Sequence, residues 1–124
     1  MRILLVEDDS ATAKSIELML KAEGSVVDTT DLGEDGLEIG KLYDYDIIIL
    51  DLMLPGRSGL DILRDLRARG EFENLPVLML TARGQSRDRD MAERAGVSRF
   101  MTKPFSNVEV LTAVRDLVAL AGRA

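Results

Sequence analysis

Runs of four or five apolar residues alternate along the chain with longer stretches in which apolar positions recur every three or four residues, and the alternation repeats five times. Unbroken apolar runs suit strands covered on both faces, and the 3.6-residue periodicity between them suits the amphipathic helices that do the covering. Strands are expected at residues 3–6, 25–28, 46–50, 77–80 and 99–101, of which the first, third and fourth are the continuous runs. A β-α alternation of this kind builds an α/β domain, a parallel sheet with right-handed crossovers and helices on both faces.

The helices carry their own punctuation. The first should span residues 10–23, with Ser10 as N-cap and Gly24 as stop, and bury Ala13, Ile16, Met19 and Leu20. The second, at 34–42, contains Gly36 and Gly40; each interior glycine costs about 1 kcal/mol relative to alanine, so it should be the least stable. The third follows Ser58-Gly59, presents Leu60, Leu63 and Leu66, and ends at Gly70. The fourth, at 86–95, has only Met91, Ala92 and Ala95 as apolar anchors among charged neighbours and should be loosely held. The fifth opens with Ser106-Asn107-Val108-Glu109, a capping-box pattern. Its apolar residues Val110, Leu111, Val114, Leu117, Val118 and Leu120 cover more than one stripe, which leaves part of the helix for a partner.

In an open parallel sheet, ligands bind outside the carboxyl ends of the strands. Asp51 stands there, between the run 46–50 and Leu52-Met53-Leu54-Pro55-Gly56, and Glu7-Asp8, Thr81 and Lys103 close three other strands. The four positions together read as a phosphoryl-accepting site. Composition narrows the chemistry further. The 124 residues, 46% of them hydrophobic, suffice for one domain and leave no room for a second. With no cysteine and no histidine, disulfides, thiolate metal sites, the usual zinc ligands and histidine acid–base catalysis are excluded. A net charge of −6 opposes direct binding of nucleic acid. The acidic residues are left to serve a hard divalent cation or to form an ordinary solubilising surface. No apolar stretch approaches the roughly 20 residues needed to cross a bilayer, and Met1-Arg2 leads straight into a strand. A cytoplasmic address without a membrane partner is expected.

The segments Leu4-Leu5-Val6-Glu7-Asp8-Asp9, Asp51 with Met53-Pro55-Gly56, Leu80-Thr81-Ala82 and Thr102-Lys103-Pro104-Phe105 resemble the receiver domains of two-component response regulators. The likeness spans essentially the whole chain, 1–124, as a single receiver. It implies a doubly wound, flavodoxin-like (βα)5 fold with a five-stranded parallel sheet in the order 2-1-3-4-5. It places on Asp51 the acceptor of a phosphoryl group from a sensor histidine kinase or a histidine phosphotransfer protein. It makes Asp8 and Asp51 direct Mg2+ ligands, has Glu7 act partly through water, and adds the backbone carbonyl of Met53. Asp9 is then a cap of the first helix. Lys103, aimed by a cis bond to Pro104, would stabilise the transferred group, and Thr81 would turn its hydroxyl toward it while Phe100 rotates inward. The altered face of helix four, strand five and helix five would regulate a downstream effector protein, with a phosphorylation-dependent dimer as one outcome.

Likeness to receivers joined to DNA-binding domains is strongest up to Leu54 and fades beyond it. Such receivers usually carry Gly-Ala-Asp-Asp-Tyr where this chain has Gly96-Val97-Ser98-Arg99-Phe100, so two aspartates of their dimer salt bridges are missing. With no output domain after Ala124, a stand-alone receiver is favoured over one cut from a longer regulator. Two rivals are disfavoured. An aspartyl-phosphate phosphatase needs a general acid two residues after its nucleophile, where Met53 stands. A nucleotide carrier lacks its glycine-rich phosphate loop.

Overall fold

The computed structural model describes residues 1–82 and 86–122. Strands β1 (Arg2–Val6), β2 (Val26–Thr30), β3 (Ile47–Asp51), β4 (Val77–Thr81) and β5 (Arg99–Thr102) form one parallel sheet in the order β2-β1-β3-β4-β5. Helices α1 (Ser10–Ala22), α2 (Gly33–Gly40), α3 (Gly59–Ala68), α4 (Ser86–Arg94) and α5 (Asn107–Leu120) connect or follow them, with a 3₁₀ turn at Gly70–Phe72. The parallel α/β sheet is the one expected of the alternation, and its strand order is the flavodoxin-like order that the receiver likeness implies.

Because successive strand residues face opposite sides, the apolar runs feed two cores at once. Ile3, Leu5, Ile47, Ile49, Leu78 and Leu80 pack with Ile16 and Leu20 of α1 and with Val110, Val114 and Val118 of α5. Leu4, Val6, Ile48, Leu50, Val77 and Met79 pack on the other side with Leu60, Leu63 and Leu66 of α3 and Ala92 of α4. On α5 the surplus apolar residues Val108 and Leu120 remain 71% and 82% exposed.

Three local expectations shift. The N-cap of α1 is Asp9 and not Ser10: Asp9 keeps an extended backbone and its carboxylate accepts the Ala11 and Thr12 N–H groups, so Ser10 is already helical. Strand β2 runs later than residues 25–28, because the Ser25 N–H still donates to Leu20 O at the end of α1, while Thr29 and Thr30 pair with Leu5 and Val6. Helix α2 ends at Gly40 rather than 42, and its N-cap Leu32 offers no side-chain hydrogen bond. At α5 the Glu109 N–H donates to Ser106 Oγ at 3.1 Å, the serine half of the expected box.

Candidate functional site

The topology brings the four strand ends together. β1 and β3 are neighbours with Val6 opposite Leu50, so Glu7 and Asp51 emerge side by side. β4 flanks β3 with Leu80 opposite Asp51, and β5 follows with Thr102 opposite Thr81. The Lys103 N–H donates to Thr81 O at 2.7 Å, extending the β4–β5 pairing by one residue, and the Lys103-Pro104 bond is cis, as expected. From that edge Lys103 Nζ reaches Glu7 Oε1 at 2.7 Å and Asp51 Oδ2 at 3.5 Å.

Glu7, Asp8 and Asp51 each offer a carboxylate oxygen, all within 4.8 Å of one another. Glu7 and Asp51 are only 3% and 4% exposed, whereas Asp8 faces solvent. Burial, reinforced by the adjacent Asp51 carboxyl, pushes the Glu7 pKa up against the opposing pull of Lys103. Burial alone would lower the Lys103 pKa, but the hydrogen bond to Glu7 and the charges of Asp51 and Glu7 raise it overall, so the ammonium stays charged. A set of three carboxylates with no nitrogen or sulfur donor fits a small hard cation such as Mg2+.

The remaining candidates are arranged around this cluster. Met53 is 49% exposed, and its N–H donates to Asp51 Oδ1 at 3.0 Å, which ties one carboxylate oxygen to the following turn. Thr81 is fully buried at the end of β4. Phe100, opposite Met79, is half-buried against the α3–α4 core, with the Arg89 guanidinium carbon 5.4 Å from its ring centroid. Ala82 after Thr81 is exposed.

Two supporting residues escape a reading of side-chain chemistry. Gly59 opens α3 directly against the backbone carbonyl of Asp51; a Cβ there would collide with that oxygen, and its N–H donates to Leu52 O at 3.0 Å. The Asp9 N–H reaches Glu7 Oε2 at 3.3 Å, so the turn into α1 also steadies the cluster. The Ser58-Gly59 pair after Pro55-Gly56 was the available signal for the first.

The chain is similar to several known proteins. The chain is 48% identical over 118 residues to the cell cycle transcriptional regulator CtrA of Caulobacter vibrioides, covering 95% of this chain and 50% of that protein. It is 49% identical over the same length to the cell cycle response regulator CtrA of Brucella ovis, again 50% of that protein. The chain thus spans about half the length of the curated relatives it matches, and the aligned stretch extends past Leu54 over nearly the whole chain. Among solved structures, the receiver domain of a sensor histidine kinase from Pseudomonas aeruginosa, with a magnesium ion coordinated in its active-site cleft, is 30% identical. It superposes with a TM-score of 0.87 over 95% of this chain and 97% of that one. A CheY-like receiver from Methanospirillum hungatei, 21% identical, shares the fold at a TM-score of 0.92 over 98% of this chain and 96% of that one. Residues 3–115 match the response regulator receiver domain, and with that match joined to the acidic cluster and the lysine at the strand ends, the chain belongs to the receiver family of two-component systems.

Proposed function

We propose that Asp51 accepts a phosphoryl group from a histidine kinase or histidine phosphotransfer protein, and that the resulting charge resets the face formed by α4, β5 and α5 to regulate a partner protein. The observation that carries this reading is the Lys103 ammonium lying across Glu7 and Asp51 at the mouth of the three-carboxylate cluster.

Glu7, Asp8 and Asp51 would hold Mg2+, with the Met53 carbonyl as a further ligand, and the bound ion would offset the repulsion between a carboxylate and an incoming phosphoryl group. The magnesium-bound Pseudomonas receiver supports this. An Asp51 carboxylate oxygen then attacks phosphorus of a phosphohistidine: the O–P bond forms as the N–P bond breaks, and its electron pair returns to the imidazole. Lys103 turns from the carboxylates to an oxygen of the transferred group, the same charge–charge contact with a new partner. Thr81 adds its hydroxyl to another, and Phe100 fills the space that Thr81 leaves. Phosphorylation adds about −1.5 to −2 charge. The exposed Val108 and Leu120 of α5 give the partner an apolar foothold, and a dimer formed on phosphorylation would use the same face.

Residues 1–124 act as one receiver unit, a switch and not a turnover enzyme, since Met53 stands where a phosphatase would need its acid. No helix among the described residues is long and apolar enough to cross a membrane, and the exchange is assigned to the cytoplasm without direct contact to nucleic acid. Incubated with Mg2+ and acetyl phosphate or phosphoramidate, the chain should gain one acid-stable, base-labile phosphoryl group, and Asp51→Asn none. Label retained by that variant would overturn the assignment.

A further inference from the structure

A second charged site lies between α3 and α4. Arg64, Arg87, Asp90, Met91 and Arg94 line a groove that shares no residue with the acidic cluster. Arg87 and Arg94 are seven positions apart, two turns or about 10 Å along one face of α4, with Asp90 and Met91 between them and Arg64 entering from α3. In a chain with 22 acidic and 16 basic residues, three arginines and one aspartate line this groove. Neither Arg87 nor Arg94 has an ion pair among the described residues. Arg64 has a long one, 3.8 Å to Asp61, with both side chains more than half exposed, and such a pair yields readily to a better partner.

Guanidiniums that line one groove repel one another and are favoured by an anion placed among them. Their planar forks match phosphate oxygens two at a time, which a single-point lysine does not do. The spacing along α4 exceeds one phosphate and suits two or more in a row. Half-buried Met91 supplies an apolar floor, and Asp90 an acceptor for N–H groups. We propose that the α3–α4 groove binds a pyrophosphate unit, free or carried by a nucleotide. Net charge repels long polyanions approaching from a distance, but a short ligand is governed by the charges it touches.

The test is calorimetry and amide chemical-shift mapping with inorganic pyrophosphate, adenosine triphosphate and guanosine triphosphate, all in EDTA so that no divalent cation draws phosphate to the Asp51 cluster. Saturable binding with shifts on α3 and α4 is expected. It should weaken at least about tenfold in Arg87→Gln/Arg94→Gln and in the separate variant Arg64→Gln, and persist in Asp51→Asn. Tighter binding of a nucleotide than of pyrophosphate assigns a nucleoside source, and equal affinity a free one. Unchanged melting and phosphoryl uptake in the arginine variants would show that the fold survives. No saturation in the millimolar range, binding indifferent to these substitutions, or saturation by oligoglutamate where phosphates fail would overturn the proposal.

Discussion

The two ends of the central sheet use the same kinds of groups in opposite ways. Near the amino ends of β1 and β3, Arg2 donates from Nε and Nη2 to Asp28 Oδ2 at 3.1 and 2.9 Å, and the Tyr45 hydroxyl donates to the same oxygen at 2.6 Å. The Arg2 N–H reaches Asp46, and its guanidinium carbon lies 3.9 Å from the Tyr43 ring centroid. Each charge there is answered. At the carboxyl end, Glu7 and Asp51, two of three clustered carboxylates, share one ammonium. The first arrangement holds β1, β2 and β3 together; the second keeps an excess of negative charge that a bound cation would offset. Matched charge serves the fold, and mismatched charge serves the switch.

The largest effect that would sharpen this contrast is at the matched end. Asp28→Ala strips both Arg2 and the buried Tyr45 hydroxyl of their acceptor and should cost about 2 kcal/mol in urea unfolding, with phosphoryl uptake by the folded protein unchanged. A negligible loss would mean that the cluster is ornament. At the mismatched end the sign should reverse. Asp51→Asn removes one of two buried like charges, leaves Lys103 its bond to Glu7, and should raise stability in EDTA by about 1 kcal/mol while abolishing phosphoryl uptake. Destabilisation by Asp51→Asn would show that the acidic end is matched after all.

These two ends were unequally legible. Asp51, Thr81 and Lys103 stand out because buried strands and their terminating turns are local signals; the alternation gives a parallel sheet, and its order is implied only by the likeness to receivers. The Arg2–Asp28–Tyr45 cluster joins residues 17 to 26 positions apart, and its partners are fixed only by strand register. Arg67 is similar: it ties α3 to Phe72 O, Leu75 O and Gly96 O, and so anchors the turn after α4, a helix whose own apolar anchors are few. Glycine in α2 also misleads when judged by propensity alone. A Cβ on Gly36 would stand 2.8 Å from Val6 Cγ2, just before Glu7, whereas one on Gly40 would meet Leu4 Cδ2 at an ordinary 3.7 Å. Gly36→Ala should therefore destabilise by about 1 kcal/mol through overpacking, and Gly40→Ala should stabilise by up to about 1 kcal/mol. Thermal melts of the two variants would separate close approach from helix propensity.

The finest distinction between the ends is in their response to acid. The Tyr45 hydrogen bond, ahead of Arg2, holds the Asp28 carboxyl below the usual carboxylate range. Burial and the same hydrogen bond push the Tyr45 phenol far above its ordinary value, so it remains a donor throughout. A folded-state pKa below the unfolded value means that the unfolded chain binds the proton more readily. The contribution is therefore complete above the unfolded value, about 3.9, and is lost as pH falls through the lower folded value. Tyr45→Phe removes the first cause of the shift and lets Asp28 titrate closer to its ordinary range. The stability gap between the parent and Tyr45→Phe, read from urea midpoints, should be constant near neutrality and narrow below about pH 4. Asp51→Asn leaves Asp28 and Tyr45 in place, so in EDTA it should keep this Asp28-linked acid response. A gap between parent and Tyr45→Phe that stayed constant into acid would mean that the tyrosine stabilises by packing alone and that its bond to Asp28 carries no charge-linked energy.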